Sequence, residues 1–185
     1  MKIIRTPLPG VSELAVDVYA DNRGFFMETY QQEKFKALGI HCRFVQDNLS
    51  HSHRGVLRGL HYQYPHPQAK LVQVLAGEIF DVVVDVRRGS GSFGKWAGAI
   101  LSEEDNRLLY ISEGFAHGFC CVSERALVHY KCGELYSPES EGGVLWSDPD
   151  LGIDWPLKTP ILSEKDSRHP CLRDIPVERL PVFKG

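Results

Sequence analysis

The sequence predicts an all-β fold, a double-sheet jelly roll carrying a few short peripheral helices. Three observations predict it. Short runs of β-branched, aromatic and aliphatic residues recur along the 185 residues, each bounded by glycine, proline or acidic turns. The stretches between them leave almost no room for the crossover helices of a parallel α/β sheet. Composition is that of an ordinary globular chain, 43% hydrophobic and 24% charged. The length suits one domain over residues 1–185, with a core that needs no disulfide or metal staple.

Taken in order, residues 13–19 alternate weakly, and Asp21-Asn22-Arg23-Gly24 reads as a turn. Residues 31–38, QQEKFKAL, are the best helix candidate, stopped by Gly39. Strand-like runs follow at 41–48, 56–63, 71–76, 79–86, 96–101, 108–111, 115–122, 126–132 and 144–146. The proline-rich, charged C-terminal stretch is expected to wrap the surface with a little helix. In the run 79–86, Phe80, Val82, Val84 and Val86 share one face, and Ile79, Asp81, Val83 and Asp85 share the other. Two carboxylates on a partly apolar face require partners or water, and periodicity leaves both open.

Several function classes are disfavoured. A net charge of −3 gives no global attraction to nucleic acid or anionic membrane. No apolar run approaches the ~20 residues of a membrane span, and the opening MKIIRTPLPG has no apolar export region. The five cysteines form no C-x-x-C pair, so reduced thiols in a cytoplasmic protein are expected. Gly89-Ser90-Gly91-Ser92-Phe93-Gly94 matches G-x-G-x-x-G, but the following KWAGAIL reads as a strand. Without a helix N-terminus it offers no phosphate site of the dinucleotide kind, and we read it as a hairpin loop.

Residues 59–78, GLHYQYPHPQAKLVQVLAGE, have the rhythm of the first cupin motif, which offers H-x-H and then Glu to a metal. Here Gln63 stands at the second histidine and Lys70 lies near the glutamate position. Only His61 and His117 remain of such a set, and an ammonium beside two imidazoles opposes a divalent cation. The expected barrel is therefore cupin-type in shape, with no metal or other cofactor.

A more specific resemblance runs along nearly the whole chain. Arg-Gly-Phe-Phe-Met-Glu at 23–28, Gln46-Asp47-Asn48, GVLRGLHYQ at 55–63 and QAKLVQVLAGEIFDVVVD at 68–85 appear in order. EGFAHGF at 113–119, Tyr130-Lys131 with Tyr136, DPDLGIDWP at 148–156 and LSEKD at 162–166 complete the series. Each motif is weak alone, but together they resemble the dTDP-4-dehydrorhamnose 3,5-epimerase family. That family inverts carbons beside the C4 ketone of a dTDP-linked 4-keto-6-deoxy sugar. The chemistry needs a base on one face, a positive or hydrogen-bonding group at the enolate oxygen, and an acid on the opposite face.

The resemblance implies the following roles. His61 is the base, a residue suited to reversible proton transfer near neutral pH, and Asp166 orients it. Tyr130 is the opposite-face acid. Lys70 stabilises the enolate, and His117 also faces the sugar. Arg23 and Arg58 hold the diphosphate, where guanidinium forks suit phosphate oxygens. Glu28, Gln46, Asp47, Asn48, Glu141 and Lys165 make further contacts, and Tyr136 stacks on thymine. Asp81 falls in the same pocket with no step assigned. Strict alternation would put Arg58 and His61 on opposite faces of one strand, unless Gly59 marks a bulge. The family also implies a homodimer with exchanged N-terminal strands, Arg23 and Glu28 reaching the partner's site. The rival readings are an epimerase that inverts C3 alone, a metal-dependent cupin, and a non-catalytic sugar-nucleotide binder.

Overall fold

The computed structural model describes residues 1–184 and is almost entirely antiparallel β. The strands are β1 (Lys2–Leu8), β2 (Val11–Ala15), β3 (Val18–Asp21), β4 (Gly24–Met27), β5 (Gln46–His53), β6 (Leu57–Gln63) and β7 (Lys70–Ala76). They continue with β8 (Glu78–Asp85), β9 (Trp96–Ser102), β10 (Arg107–Ile111), β11 (Phe115–Cys121), β12 (Arg125–Cys132) and β13 (Glu141–Gly143). A six-stranded sheet runs β1-β2-β10-β7-β12-β5, a five-stranded sheet runs β13-β6-β11-β8-β9, and β3-β4 form a separate hairpin. The two large sheets pack face to face, which is the cupin-like jelly roll.

Alternation along each strand sorts the side chains into three apolar layers. Val72, Val74 and Val128 meet Ile79, Val83 and Phe119 between the sheets. The outer face of the five-stranded sheet, with Val82, Val84 and Val86, lies under Leu151, Leu172, Ile175 and Leu180 of the C-terminal wrap. Leu14, Leu71 and Leu108 on the other outer face lie under α1 (Gln32–Ala37), whose one buried residue is Phe35. Gln31 caps this helix by accepting from the Lys34 backbone N–H at 2.6 Å, and Gly39 follows at φ +82°.

The expected elements recur with instructive shifts. Residues 41–45 are a loop, because Cys42 and Phe44 pack on the α1 cluster and pairing with β12 begins only at Val45. The expected strand at 144–146 lies earlier, where Glu141–Gly143 pairs with β6 and Val144 adds two backbone bonds to Leu60. Strand β1 had no counterpart in the sequence reading. The glycine-rich loop joins β8 to β9 as a hairpin. Three single-turn 3-10 helices punctuate the C-terminal wrap.

Candidate active site

The inner faces of the two sheets open at one end of the sandwich into a polar cleft. From the six-stranded sheet come Gln46, Asn48 and Ser50 of β5, Tyr130 of β12 and Lys70 of β7, and β12 pairs with both neighbours so that Tyr130 lies opposite Asn48 and Val72. From the five-stranded sheet come His61 and Arg58 of β6 and His117 of β11, and His61 lies opposite His117 in register. The cleft comprises two adjoining cavities, of about 440 Å³ and 230 Å³. Both touch Ser50, Arg58, His61, Lys70 and Tyr130.

A bulge resolves the problem of Arg58 and His61. His117 pairs with His61 and Phe119 with Arg58, so two steps on β11 span three on β6. The extra residue turns both side chains toward the cleft. Gly59, at φ +121°, makes this possible: a Cβ there would lie 2.6 Å from the Gly118 Cα and 2.8 Å from the His117 carbonyl oxygen.

His61 Nε2 lies 2.6 Å from Asp166 Oδ1, although the two are 105 residues apart in the chain. Asp166 is nearly buried, and its backbone N–H donates to Ser163 Oγ at 3.1 Å. Burial alone would raise the Asp166 pKa, but the His169 imidazole 3.6 Å away, the hydrogen-bonded His61 ring and Ser163 together hold it far below the carboxylate range. Burial lowers the His61 pKa below its ordinary 6.5, and Asp166 opposes that shift only in part. The imidazole is therefore neutral at pH 7, and Nε2 is committed to Asp166. Nδ1 is the nitrogen left for a proton from the cleft.

Burial likewise lowers the Lys70 pKa, while Cys132, Asp81 and Glu141 pull it upward. The Tyr130 pKa is raised by burial and by Cys132, against Arg58, so the phenol keeps its proton at neutral pH. Asp81 acquires a place here. Its carboxylate is 1% exposed and meets His117 Nε2 at 2.8 Å and 3.0 Å, which fixes that ring. The two inward carboxylates of β8 are thus partnered rather than solvated, since Asp85 accepts from Arg87, Ser90 and Ser92.

The outer cavity is edged by an ordered polar set. Lys165 Nζ and the Tyr136 hydroxyl donate to the Glu141 carboxylate at 2.7 Å and 3.1 Å, and Gln46 accepts the Tyr136 backbone N–H at 2.9 Å. Arg58 donates from Nε to Ser52 Oγ at 3.0 Å, which aims its guanidinium. Three expected residues lie elsewhere in this chain. Asp47 sits on the opposite face of β5 from Gln46 and Asn48, and accepts from Lys131 Nζ at 2.8 Å. Arg23 projects from the β3–β4 hairpin with its side chain 86% exposed and pairs with Asp21, while Glu28 pairs with Lys34 at 2.7 Å. Ser50, Gln68, Phe119 and Ser163 line the cleft without having been singled out from sequence, and Gln63, noted there only as a departure from the cupin motif, lines it too. For Ser50 the alternation Gln46, Asn48, Ser50 was an available signal.

Comparison with known proteins bears on this constellation. The family model described as dTDP-4-dehydrorhamnose 3,5-epimerase matches residues 5–174. The dTDP-4-dehydrorhamnose 3,5-epimerase of Methanothermobacter thermautotrophicus is 52% identical over 179 residues, covering 95% of this chain and 97% of that one. The crystal structure of dTDP-6-deoxy-D-glucose-3,5-epimerase from Legionella pneumophila, in complex with dTDP-4-keto-L-rhamnose, superposes with a TM-score of 0.96 at 49% identity, covering 100% of this chain and 99% of that chain. A 3'-monoepimerase from Streptomyces bikiniensis, in complex with dTDP-quinovose, gives a TM-score of 0.88 at 36% identity, covering 98% of this chain and 93% of that chain.

Proposed function

The chain belongs to the dTDP-4-dehydrorhamnose 3,5-epimerase family, and from that premise we propose how its cleft inverts C3 and C5 of the dTDP-linked 4-keto-6-deoxy sugar. The observation that carries the reading is the opposition of base and acid. His61, backed by Asp166, projects from one sheet, and Tyr130 projects from the other, into the same cleft. Both C3 and C5 hydrogens are alpha to the C4 ketone, so removing either as a proton yields an enolate. His61 Nδ1 takes the proton, and the Asp166 carboxylate stabilises the imidazolium so formed. The Lys70 ammonium, with His117 fixed by Asp81, faces the enolate oxygen in a buried setting that strengthens charge interactions. Tyr130 returns a proton from the opposite wall, which inverts the carbon. Each step moves only protons, and between the two inversions His61 gives up its proton and the phenolate regains one by exchange with solvent.

The smaller cavity accommodates the sugar, and the larger one the thymidine diphosphate. Arg58 holds diphosphate oxygens; Gln46, Asn48, Glu141 and Lys165 border the nucleotide, and Tyr136 supplies a stacking face for thymine. The chain acts as one domain and as a homodimer, with Arg23 and Glu28 serving the partner's cleft. The exposed aromatic hairpin supports this: Tyr19, Phe25 and Phe26 are each more than 60% exposed beside Arg23. No helix is long and apolar enough to cross a membrane among the described residues. The five free cysteines suit the cytoplasm.

The test is turnover of the dTDP-4-keto-6-deoxyglucose in deuterated water, followed by NMR. Wild type should place deuterium at C3 and C5 and yield the L-sugar. Inversion at C3 alone would replace this reading with that of a monoepimerase. In Tyr130→Phe, deuterium should enter C3 or C5 faster than inverted product accumulates, because His61 and Lys70 still form the enolate while the opposite-face proton is gone. A wild-type ratio of exchange to inversion would remove Tyr130 from the mechanism.

A further inference from the structure

One buried polar group beside the cleft carries no proton in the reaction above. His169 Nε2 is inaccessible to solvent and has no hydrogen-bond partner among the described residues. It lies 3.6 Å from Asp166 Oδ1, beyond hydrogen-bond length, and the His169 ring meets the His61 ring edge-on at 5.5 Å. The local sequence builds a seat for this ring. Gly143 faces His61 across β13 and β6, and a Cβ on Gly143 would fall 2.3 Å to 2.5 Å from three atoms of the His169 imidazole. The Leu145 backbone N–H donates to the Pro170 carbonyl at 2.8 Å and pins the segment in place. Any other residue at 143 would displace the ring.

One donor atom each from His61, Asp166 and His169 therefore lies within 4.8 Å of the other two. Two imidazoles and a carboxylate, of which His61 and Asp166 line the smaller cavity, form a three-ligand donor set of the kind that holds zinc. We infer that His61, Asp166 and His169 form an inhibitory site for a zinc-class divalent cation, which binds in place of the proton shared by His61 and Asp166. This is a different set from His61 and His117, the positions at which a cupin metal would sit.

Zinc would reset the spacing of the three donors. Tetrahedral ligands about 2.0–2.1 Å from zinc stand about 3.3 Å apart. The His169–Asp166 separation of 3.6 Å is already close to that, and the His61–Asp166 separation of 2.6 Å must open. Inhibition follows from proton bookkeeping. In the resting dyad the His61 proton is on Nε2 and the Nδ1 lone pair faces the cleft. Zinc takes the Nε2 lone pair, so the single proton of the neutral ring moves to Nδ1. His61 then offers a donor where the reaction needs a base, and no proton is gained or lost overall. Lys70 and Lys165 also act electrostatically on His61. Their positive charge weakens cation binding, which suits a reversible inhibitor better than a resident metal.

The inhibition step rests on His61 being the base, whereas the site itself does not, and the experiment separates them. Zinc is titrated into the metal-free protein with calorimetric detection, alongside turnover assays. Wild type should bind zinc and lose turnover over the same concentration range, and a chelator should restore it. His169→Phe keeps a ring over Gly143 and His169→Ala removes it. Losing one of the three ligands, both variants should need about tenfold more zinc or beyond for binding, and for inhibition measured against their own zinc-free turnover. Equal zinc affinity in wild type and both variants overturns the site. Binding that depends on His169 yet leaves turnover intact overturns the inhibition and counts against His61 as the base.

Discussion

At the scale of single residues, His61 shows how the fold prepares an ordinary side chain for the proposed role of base. Burial favours the neutral ring, Asp166 holds Nε2, and only Nδ1 is left free to work. The sign of the pH dependence follows. The active form is unprotonated, and a lowered pKa keeps it so below pH 6.5. The acid limb of kcat/KM should therefore fall with a midpoint below 6.5, and a midpoint above that value would contradict this electrostatic picture. His61→Asn keeps the shape of the ring's hydrogen-bonding end without its basicity. It should cut turnover by about two to four orders of magnitude while dTDP binding, read by calorimetry, stays near wild type. A folded variant with wild-type turnover would remove His61 from the mechanism. These proposed roles were suggested in the sequence only through the resemblance. A strand histidine and a carboxylate 105 positions away carry no local sign of belonging together.

At the scale of elements, β6 is the decisive strand. Alternation alone separates Arg58 from His61, and the bulge at Gly59 reunites them. The sequence contained the hint, a glycine between two polar residues, but not the register of β11 that makes it necessary. Gly59→Ala forces a side chain into the left-handed region and against β11. It should cost about 1–3 kcal/mol, which for a chain of this size lowers Tm by ~2–12 °C. Turnover should fall as well, because His61 and Arg58 lose their common face. Wild-type Tm and turnover together would show that the bulge does not position the site. Strand β1 illustrates the reverse case. Residues 2–6 are exposed on both faces, so no alternation marks them, and only pairing with β2 makes them a strand.

At the scale of the whole molecule, three residues expected to serve the cleft lie outside it, Asp47 on the far face of β5 and two more beyond the sandwich. Arg23 and Glu28 stand on a hairpin that projects from the sandwich, with aromatic residues facing solvent. If they complete a partner's cleft, two crippled chains can repair each other. Mixing Arg23→Ala with His61→Asn should restore turnover, since each heterodimer holds one cleft with both residues intact. Arg23→Ala alone should weaken dTDP binding by roughly 1.5–3 kcal/mol, the loss of one charge-assisted contact. Verified heterodimers without recovered turnover would exclude the exchange.

The sequence by itself determined the class of fold, the order of most strands, the short helix and the hairpin that mimics a dinucleotide motif. These follow from local periodicity and turn chemistry, which are properties of neighbours in the chain. It also determined, through ordered motifs, the family whose chemistry to expect. Only the tertiary structure decided which faces look inward. It placed Asp47 away from the cleft that Gln46 and Asn48 line, partnered Asp81 with His117, and set His169 over Gly143 beside Asp166. The physical reason is that register, bulges and sheet packing are settled between strands far apart in sequence, where no local pattern records them.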